Sequence, residues 1–395
     1  MKNVKINIKV LFALTLVHFT GDFYSSFIAP LFPLFVDKMG LSLAQVGIIA
    51  GVCRLLAFIV QPSVGYLADR YPTRGFFLIG LLLPVIFIPL SGITTGFWTL
   101  LLAAALGSFG SSMFHPSVTG MVPVYSGRKA GFAMSVFNTG GTLAFGIGPL
   151  FITWYAAVFG LEAIPYTMVF GLMAAVYVYT AVPAPQSEGM RKFGFIGTIK
   201  ENLGTAWKLI AMIWAVMFLR AFVGQSFLTF MPVLFVREGF SIVSAGVIFS
   251  LFTVAGTVSG LIAGHMSDRI GFKPIFLLTH LLMTPVLLLF MQMSGNWVYF
   301  GTILAGAFVL ASLPLGVVMA QKLAPGGRSM VASLMMGFAY GLGGILSPIV
   351  GKFADIFSLQ PVLTTICFVP LLTVPIILRF PNENHIGQKR ITVWP

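Results

Sequence analysis

The sequence predicts an all-α polytopic membrane protein with twelve transmembrane helices in two pseudo-symmetric six-helix bundles. Three observations carry that prediction. Of 395 residues, 58% are hydrophobic and only 8% are charged, whereas a soluble domain carries about 25% charged residues. So few charges cannot cover the surface of a water-soluble protein of this size, and the mean hydropathy is correspondingly high at +0.98. Apolar stretches of the roughly 20 residues needed to cross a bilayer recur along the whole chain. Unrelated landmarks also repeat at a constant spacing of 199 residues: Pro33 with Pro232, Asp69 with Asp268, and Pro149 with Pro348.

The first bundle, residues 1–183, places helices near 10–36, 43–67, 75–93, 97–123, 129–156 and 164–183. Lys2, Lys5 and Lys9 precede the first helix, whose apolar run continues past Pro30 to Phe35. That is longer than the h-region of about 7–15 residues in a secretory leader, so the stretch reads as a membrane helix. Residues 184–206 form a cytoplasmic linker carrying Pro185, Glu188, Arg191, Lys192, Lys200 and Glu201, with a short amphipathic helix expected on the membrane surface. The second bundle, residues 207–380, places helices near 207–236, 243–266, 273–292, 296–320, 329–352 and 360–380, and 381–395 is a cytoplasmic tail. The 43 glycines and 23 prolines sit mostly inside apolar runs, where neighbouring helices re-satisfy the backbone.

A net charge of +13 invites a nucleic-acid reading, but 18 of the 23 lysines and arginines fall on one side of the predicted topology. Lys38, Arg237 and Lys352 lie on the other side, and Arg54 and Arg220 lie within helices. This asymmetry follows the positive-inside rule, places both termini in the cytoplasm and explains the basic balance through the lipid bilayer, without nucleic acid. Cys53 and Cys367 lie in apolar segments and read as small buried hydrophobes. No metal-ligand, nucleotide-loop or catalytic-triad spacing is present, so no enzyme activity, cofactor or metal is expected.

The duplicated element after the second and eighth helices is Gly65-x-x-x-Asp69-Arg70 and Gly264-x-x-x-Asp268-Arg269. It resembles the short loop motif of the major facilitator superfamily, which implies the major facilitator fold and transport by alternating access. Physically, glycine permits close helix approach, and the aspartate caps a neighbouring helix or pairs with the arginine to latch one end of the bundle. Asn138-Thr139-Gly140-Gly141 with Gly148 and Pro149, mirrored by Gly341, Gly343, Gly344 and Pro348, are small-residue crossings that serve either tight packing or a conformational hinge.

Ionisable groups inside a membrane are costly and mark function. His18 and Asp22 share one helix face at i, i+4. Ser108, Ser111, Ser112, His115 and Thr119 form a second polar stripe. Two such stripes imply a shared wet cavity, although any single serine there also suits ordinary helix packing. Asp22 is the natural proton carrier, with His18 and His115 as alternatives. Arg54, Arg220, His115 and Asn138 are the expected substrate contacts, because arginine is always charged and suits the paired oxygens of an anion. His280, in an outer helix, reads as structural.

His18-Phe19-Thr20-Gly21-Asp22, Gln61-Pro62-Ser63-Val64-Gly65-Tyr66, Gly110-Ser111-Ser112-Met113-Phe114-His115-Pro116 and Gly127-Arg128-Lys129-Ala130-Gly131 resemble the fosmidomycin-resistance branch of that superfamily. The resemblance implies proton-driven export of a phosphonate antibiotic or related small organic anion, with His18, Asp22 and His115 at matching positions; the chain is expected to work as a monomer in the bacterial inner membrane. The chain departs from the branch at Ser117, where an acid would follow His-Pro, and at Arg54, where a neutral side chain would stand. Import of a carboxylate or organophosphate, by proton symport or anion exchange, is the second reading.

Overall fold

The computed structural model describes residues 6–70, 74–127, 129–183, 206–323, 335, 337 and 339–381, with the side chains of residues 66, 68–70, 130, 339 and 340 left out. The linker expected at 184–206, apart from Ala206, and nearly all of the tail expected at 381–395 lie outside this description. So do Arg128 and the first part of the helix expected at 329–352.

Among the described residues the chain is helical throughout, without a strand. Eleven helical stretches are long and apolar enough to span a membrane, and two more segments, Ala339–Ile345 and Ser347–Phe357, lie on the twelfth expected crossing. The helices are α1 (Ile8–Ser25), α2 (Ile28–Met39), α3 (Leu43–Arg70), α4 (Gly75–Leu90), α5 (Phe97–Tyr125), α6 (Ala130–Phe159) and α7 (Met168–Ala181) in the first half. The second half contains α8 (Trp207–Arg237), α9 (Ile242–Ile270), α10 (Phe272–Phe290), α11 (Trp297–Leu310), α12 (Leu313–Leu323), α13 (Ala339–Ile345), α14 (Ser347–Phe357), α15 (Leu359–Ile366) and α16 (Val374–Leu378).

Proline explains most of the breaks within single crossings. α1 and α2 form one crossing interrupted at Ser26 and Phe27. Pro30 has no N–H to offer the Ser26 carbonyl four residues back, so the helix bends there. Pro314 does the same to Leu310 between α11 and α12, and Pro348 to Gly344 between α13 and α14. The last crossing is segmented into α15, a 3₁₀ turn Val369–Thr373 and α16 around Pro370 and Pro375. The sixth begins as a 3₁₀ turn, Leu161–Thr167, rather than as the uniform helix expected from 164. Observed helices also run past their expected ends, α3 to Arg70 and α14 to Phe357. Aromatic rings fill the interior, among them Phe27, Phe32, Phe35, Phe77 and Phe114, while Phe12, Trp98, Leu261 and Trp297 are exposed on the outer surface. A helix apolar on both faces is what lipid on one side and protein on the other require.

The two halves meet mainly along α3 with α13 and α14, and along α6 with α9. At the end of the bundle far from the start of α1, these contacts are backbone to backbone. Gly47 lies against the Ser347 carbonyl and Pro348, and Gly351 lies against the Leu43 carbonyl. Gly246 lies against Pro149 and Thr153. Midway along, the Thr253 hydroxyl donates to the Phe145 carbonyl across the halves at 3.3 Å. At the near end the packing loosens. Among the described residues, a methyl group placed on Gly120, Gly131 or Gly264 would meet no atom within 4 Å beyond its own helix backbone and chain neighbours. Ser63, Thr119, Ser135, Asn138 and Thr139 are exposed on the near-end stretches of α3, α5 and α6. Polar side chains at membrane depth belong on a water-filled surface. Among the described residues the bundle is therefore closed at the far end and open at the near end.

Candidate functional site

α1, α5 and α6 build the site, and two glycines give it room. A side chain at Gly21 would overlap the Phe114 ring, so its absence lets α5 lie directly on α1. A Cβ at Gly141 of α6 would come within 2.8 Å of Asp22 Oδ2 and overlap the His18 imidazole. The Gly-Gly pair at 140–141 thus does more than permit a helix crossing: it opens the space that the His18–Asp22 pair occupies.

Asp22 sits between two imidazoles. His18 Nε2 is 3.2 Å from Asp22 Oδ2, and His115 Nε2 is 3.2 Å from Asp22 Oδ1. The far nitrogen of each ring is anchored to the backbone: His18 Nδ1 donates to the Phe137 carbonyl at 2.9 Å, and His115 Nδ1 to the Ser111 carbonyl at 2.7 Å. A carbonyl only accepts, so Nδ1 carries the proton in both rings and Nε2 faces the carboxylate. Phe137 stacks on His18 and Phe114 stacks on His115, each pair with centroids 4.2 Å apart. The side chains of Asp22 and His18 are 5% and 11% exposed and that of His115 is 29% exposed, so His115 is the member that meets water. One ligand atom from each of His18, Asp22 and His115 lies within 4.8 Å of the others, a cluster that could hold a metal ion if the side chains drew together. The absence of a metal motif in the sequence gave no hint of this, because His115 comes from another helix.

The other expected contacts are dispersed. The hydroxyls of Ser112, Ser117 and Thr119 are taken up by carbonyls four residues back on α5, which is how isolated helical hydroxyls are ordinarily satisfied. Asn138 is exposed on α6, next to Phe137. Arg54 is half-buried on α3, its stem packed on Gly344 of α13, and so stands at the seam between the halves. Arg220 is 1% exposed and donates to the Val309 carbonyl at 3.0 Å. In this conformation its Nη1 is held by a carbonyl of α11 in its own half. His280 is fully buried, with Nδ1 bonded to the Phe276 carbonyl at 2.8 Å, in keeping with a structural role.

The conformational residues divide between the two ends. Gly148 packs on Phe23 and Ser26, Pro149 presents its carbonyl to Gly246, and Pro348 covers Gly47 and Gly51. Gly65 makes only ordinary contact with Pro116, and Gly264 faces open space. The close approach expected of the two motif glycines is not made here. Asp268 and Arg269 are exposed and form no ion pair among the described residues; the side chains of Asp69 and Arg70 lie outside the description. One residue that sequence reasoning missed does at the far end what the motif aspartates were expected to do at the near end. The Asp355 carboxylate of α14 accepts from the backbone N–H groups of Leu43 at 2.7 Å and Ala44 at 3.0 Å, capping α3 from the opposite half. Its spacing in the sequence carries no signal of this.

Comparison with known proteins gives a consistent picture. The Major Facilitator Superfamily profile matches residues 12–348 and 214–390. The fosmidomycin resistance protein of Escherichia coli K12 is 29% identical over 383 residues, covering 95% of this chain and 93% of that protein. An uncharacterised MFS-type transporter of Bacillus subtilis, YfnC, is 26% identical and covers 96% of this chain and 94% of its own length. Among solved structures, a bacterial homologue of the human lysosomal transporter Spinster, in an inward-facing and occupied conformation, superposes with a TM-score of 0.79. It is 15% identical and covers 93% of this chain and 95% of that one.

Proposed function

This chain belongs to the Major Facilitator Superfamily, and from that premise we propose that it is a proton-coupled exporter of small organic anions. Members of the family are membrane transporters, not enzymes, so the question is what moves and what drives it. One observation carries the reading: a buried carboxylate held between two imidazoles at the head of a cleft that opens at only one end. In alternating access the two halves rock about such a midplane site. The cleft's open end is the one to which the lysine and arginine distribution assigns the cytoplasm. The conformation described is then the loading state.

Substrate enters from the cytoplasm and meets Arg54 at the seam, where its guanidinium offers paired donors to an oxyanion. A proton taken up from outside passes by way of the more exposed His115 to Asp22 and leaves to the cytoplasm when the cleft opens there. Discharge of the carboxylate and arrival of an anion then alternate at one site, which is the requirement of exchange. Similarity to a fosmidomycin resistance protein supports export of an anion of the phosphonate type. Ser117, whose hydroxyl is bonded back to Met113, removes one proton-carrying group and favours the second reading, proton symport or anion exchange inward.

The test uses inside-out vesicles acidified by respiration, with a ΔpH-sensitive dye and fosmidomycin or related anions added. Export by exchange gives substrate-dependent dequenching, which Asp22→Asn reduces to the level of empty vesicles. Dequenching that survives in Asp22→Asn would remove the carrier role. Arg54→Gln is expected to raise the substrate concentration for half-maximal response about tenfold or more, since hydrogen bonds to a charged group are worth about 1.5–3 kcal/mol.

A further inference from the structure

We propose that His18, Asp22 and His115 form a binding site for one divalent transition-metal ion of the zinc type, accessible from the near-end cleft. The donor set is the first argument. Two imidazoles and one carboxylate suit zinc, cobalt, nickel or copper, and not magnesium or calcium, which take oxygen ligands.

The anchoring of the rings is the second. A metal-bound histidine characteristically donates its other ring N–H to a carbonyl or carboxylate, which fixes the ligating nitrogen. Here both Nδ1–H groups are so engaged, with the Phe137 and Ser111 carbonyls. Both rings are also held by stacked phenylalanines. With Nδ1 engaged, Nε2 is the nitrogen each ring turns toward Asp22 and the one left to ligate a metal ion when it carries no proton.

The third argument is the direction in which the donors point. Asp22 Oδ1 is buried and accepts no hydrogen bond among the described residues, although His115 Nε2 is only 3.2 Å away. Each imidazole lies 3.2 Å from its own oxygen of the Asp22 carboxylate, and one ligand atom from each of the three residues lies within 4.8 Å of the others, so the side chains close in by about 1 Å to reach zinc bonds of about 2.0–2.1 Å. Three protein ligands leave a fourth position, and the partly exposed edge of His115 leaves it to water from the cleft. One dication on a single carboxylate carries the same net charge as two protons shared among the three groups, so metal and protons are alternative occupants of the same lone pairs. The assignment depends on neither the substrate nor the direction of transport.

The test uses the full-length, tag-free chain in detergent, stripped with chelator. Cobalt(II) is the spectroscopic probe, through its visible d–d absorption. The expected result is one tightly bound Co²⁺ per chain, displaced by Zn²⁺ and not by Mg²⁺. Asp22→Asn and His115→Gln are each expected to weaken binding by about 100-fold or more, since outer-shell changes alone cost 10–100-fold. His280→Ala, which alters a buried histidine of α10, is expected to bind as the unaltered chain does. Binding that persists in both site variants would overturn the proposal. Should either variant fail to fold, the unaltered chain decides: no Co²⁺ bound at about 100 μM, or equal displacement by Mg²⁺, overturns it as well.

Discussion

The two ends of this bundle are built from the same helix pairs and behave oppositely. At the far end α3 and α14 approach until glycine is the only residue that fits, at Gly47 and Gly351, and Asp355 bridges the halves by capping α3. At the near end, among the described residues, a side chain on Gly264 would meet nothing within 4 Å, and Asp268 and Arg269 are exposed. The comparison teaches that a glycine or an acidic residue in a repeated motif is not a contact but a provision for one. Which end uses its provision defines the conformation. A helix N-terminus facing an aspartate is stabilised by both hydrogen bonds and the helix dipole, and that device can hold only one end at a time if the halves rock rigidly.

Substitutions at the two ends test this contrast through one reporter. In a chain whose Cys53 and Cys367 are replaced by alanine, a single Asn138→Cys is labelled from the near end by a water-soluble maleimide while the cleft is open. The largest effect is expected from Gly47→Val. Its side chain would overlap the Ser347 backbone and come within 2.8 Å of Pro348 Cα. Overpacking of this kind costs about 1–3 kcal/mol, enough to force the far end apart, slow labelling by roughly tenfold or more and stop transport. Unchanged labelling would show that the far-end crossing is not what holds the cleft open.

Asp355→Asn should act in the same direction with less force. Losing the carboxylate cap costs about 1 kcal/mol, or about a fivefold decrease in labelling rate. If labelling were unaffected, the cap would be decoration on a closure made by packing alone. The smallest effect is expected from Gly264→Ala. With open space around it, the added methyl should leave labelling within about twofold, and a large change would mean that the near end is more closely packed than its geometry shows.

Much of this architecture was legible from the residues. Twelve crossings, the duplication and the i, i+4 pairing of His18 with Asp22 follow from hydropathy, spacing and helix period, all local quantities. The elements that shifted are those governed by proline: the breaks at Ser26 and at Ala311–Ser312, and the segmented last crossing, follow from missing backbone donors rather than from hydropathy. Arg220 shows what charge counting leaves open. Its position in an apolar helix marks it as costly, but whether it faces substrate or a carbonyl of Val309 depends on the rotation of α8 in its own half, which composition does not contain.

The class, the membrane, the two halves and the residues worth suspecting follow from the chain alone, because each rests on short-range patterns that lipid and helix geometry impose directly. Only the tertiary structure decided that His115 joins His18 and Asp22, that Gly141 makes their room and that Asp355 caps α3 across the seam. These residues lie up to about three hundred positions apart in the chain. Nothing local couples them; they meet because two bundles pack, and packing at one end excludes it at the other.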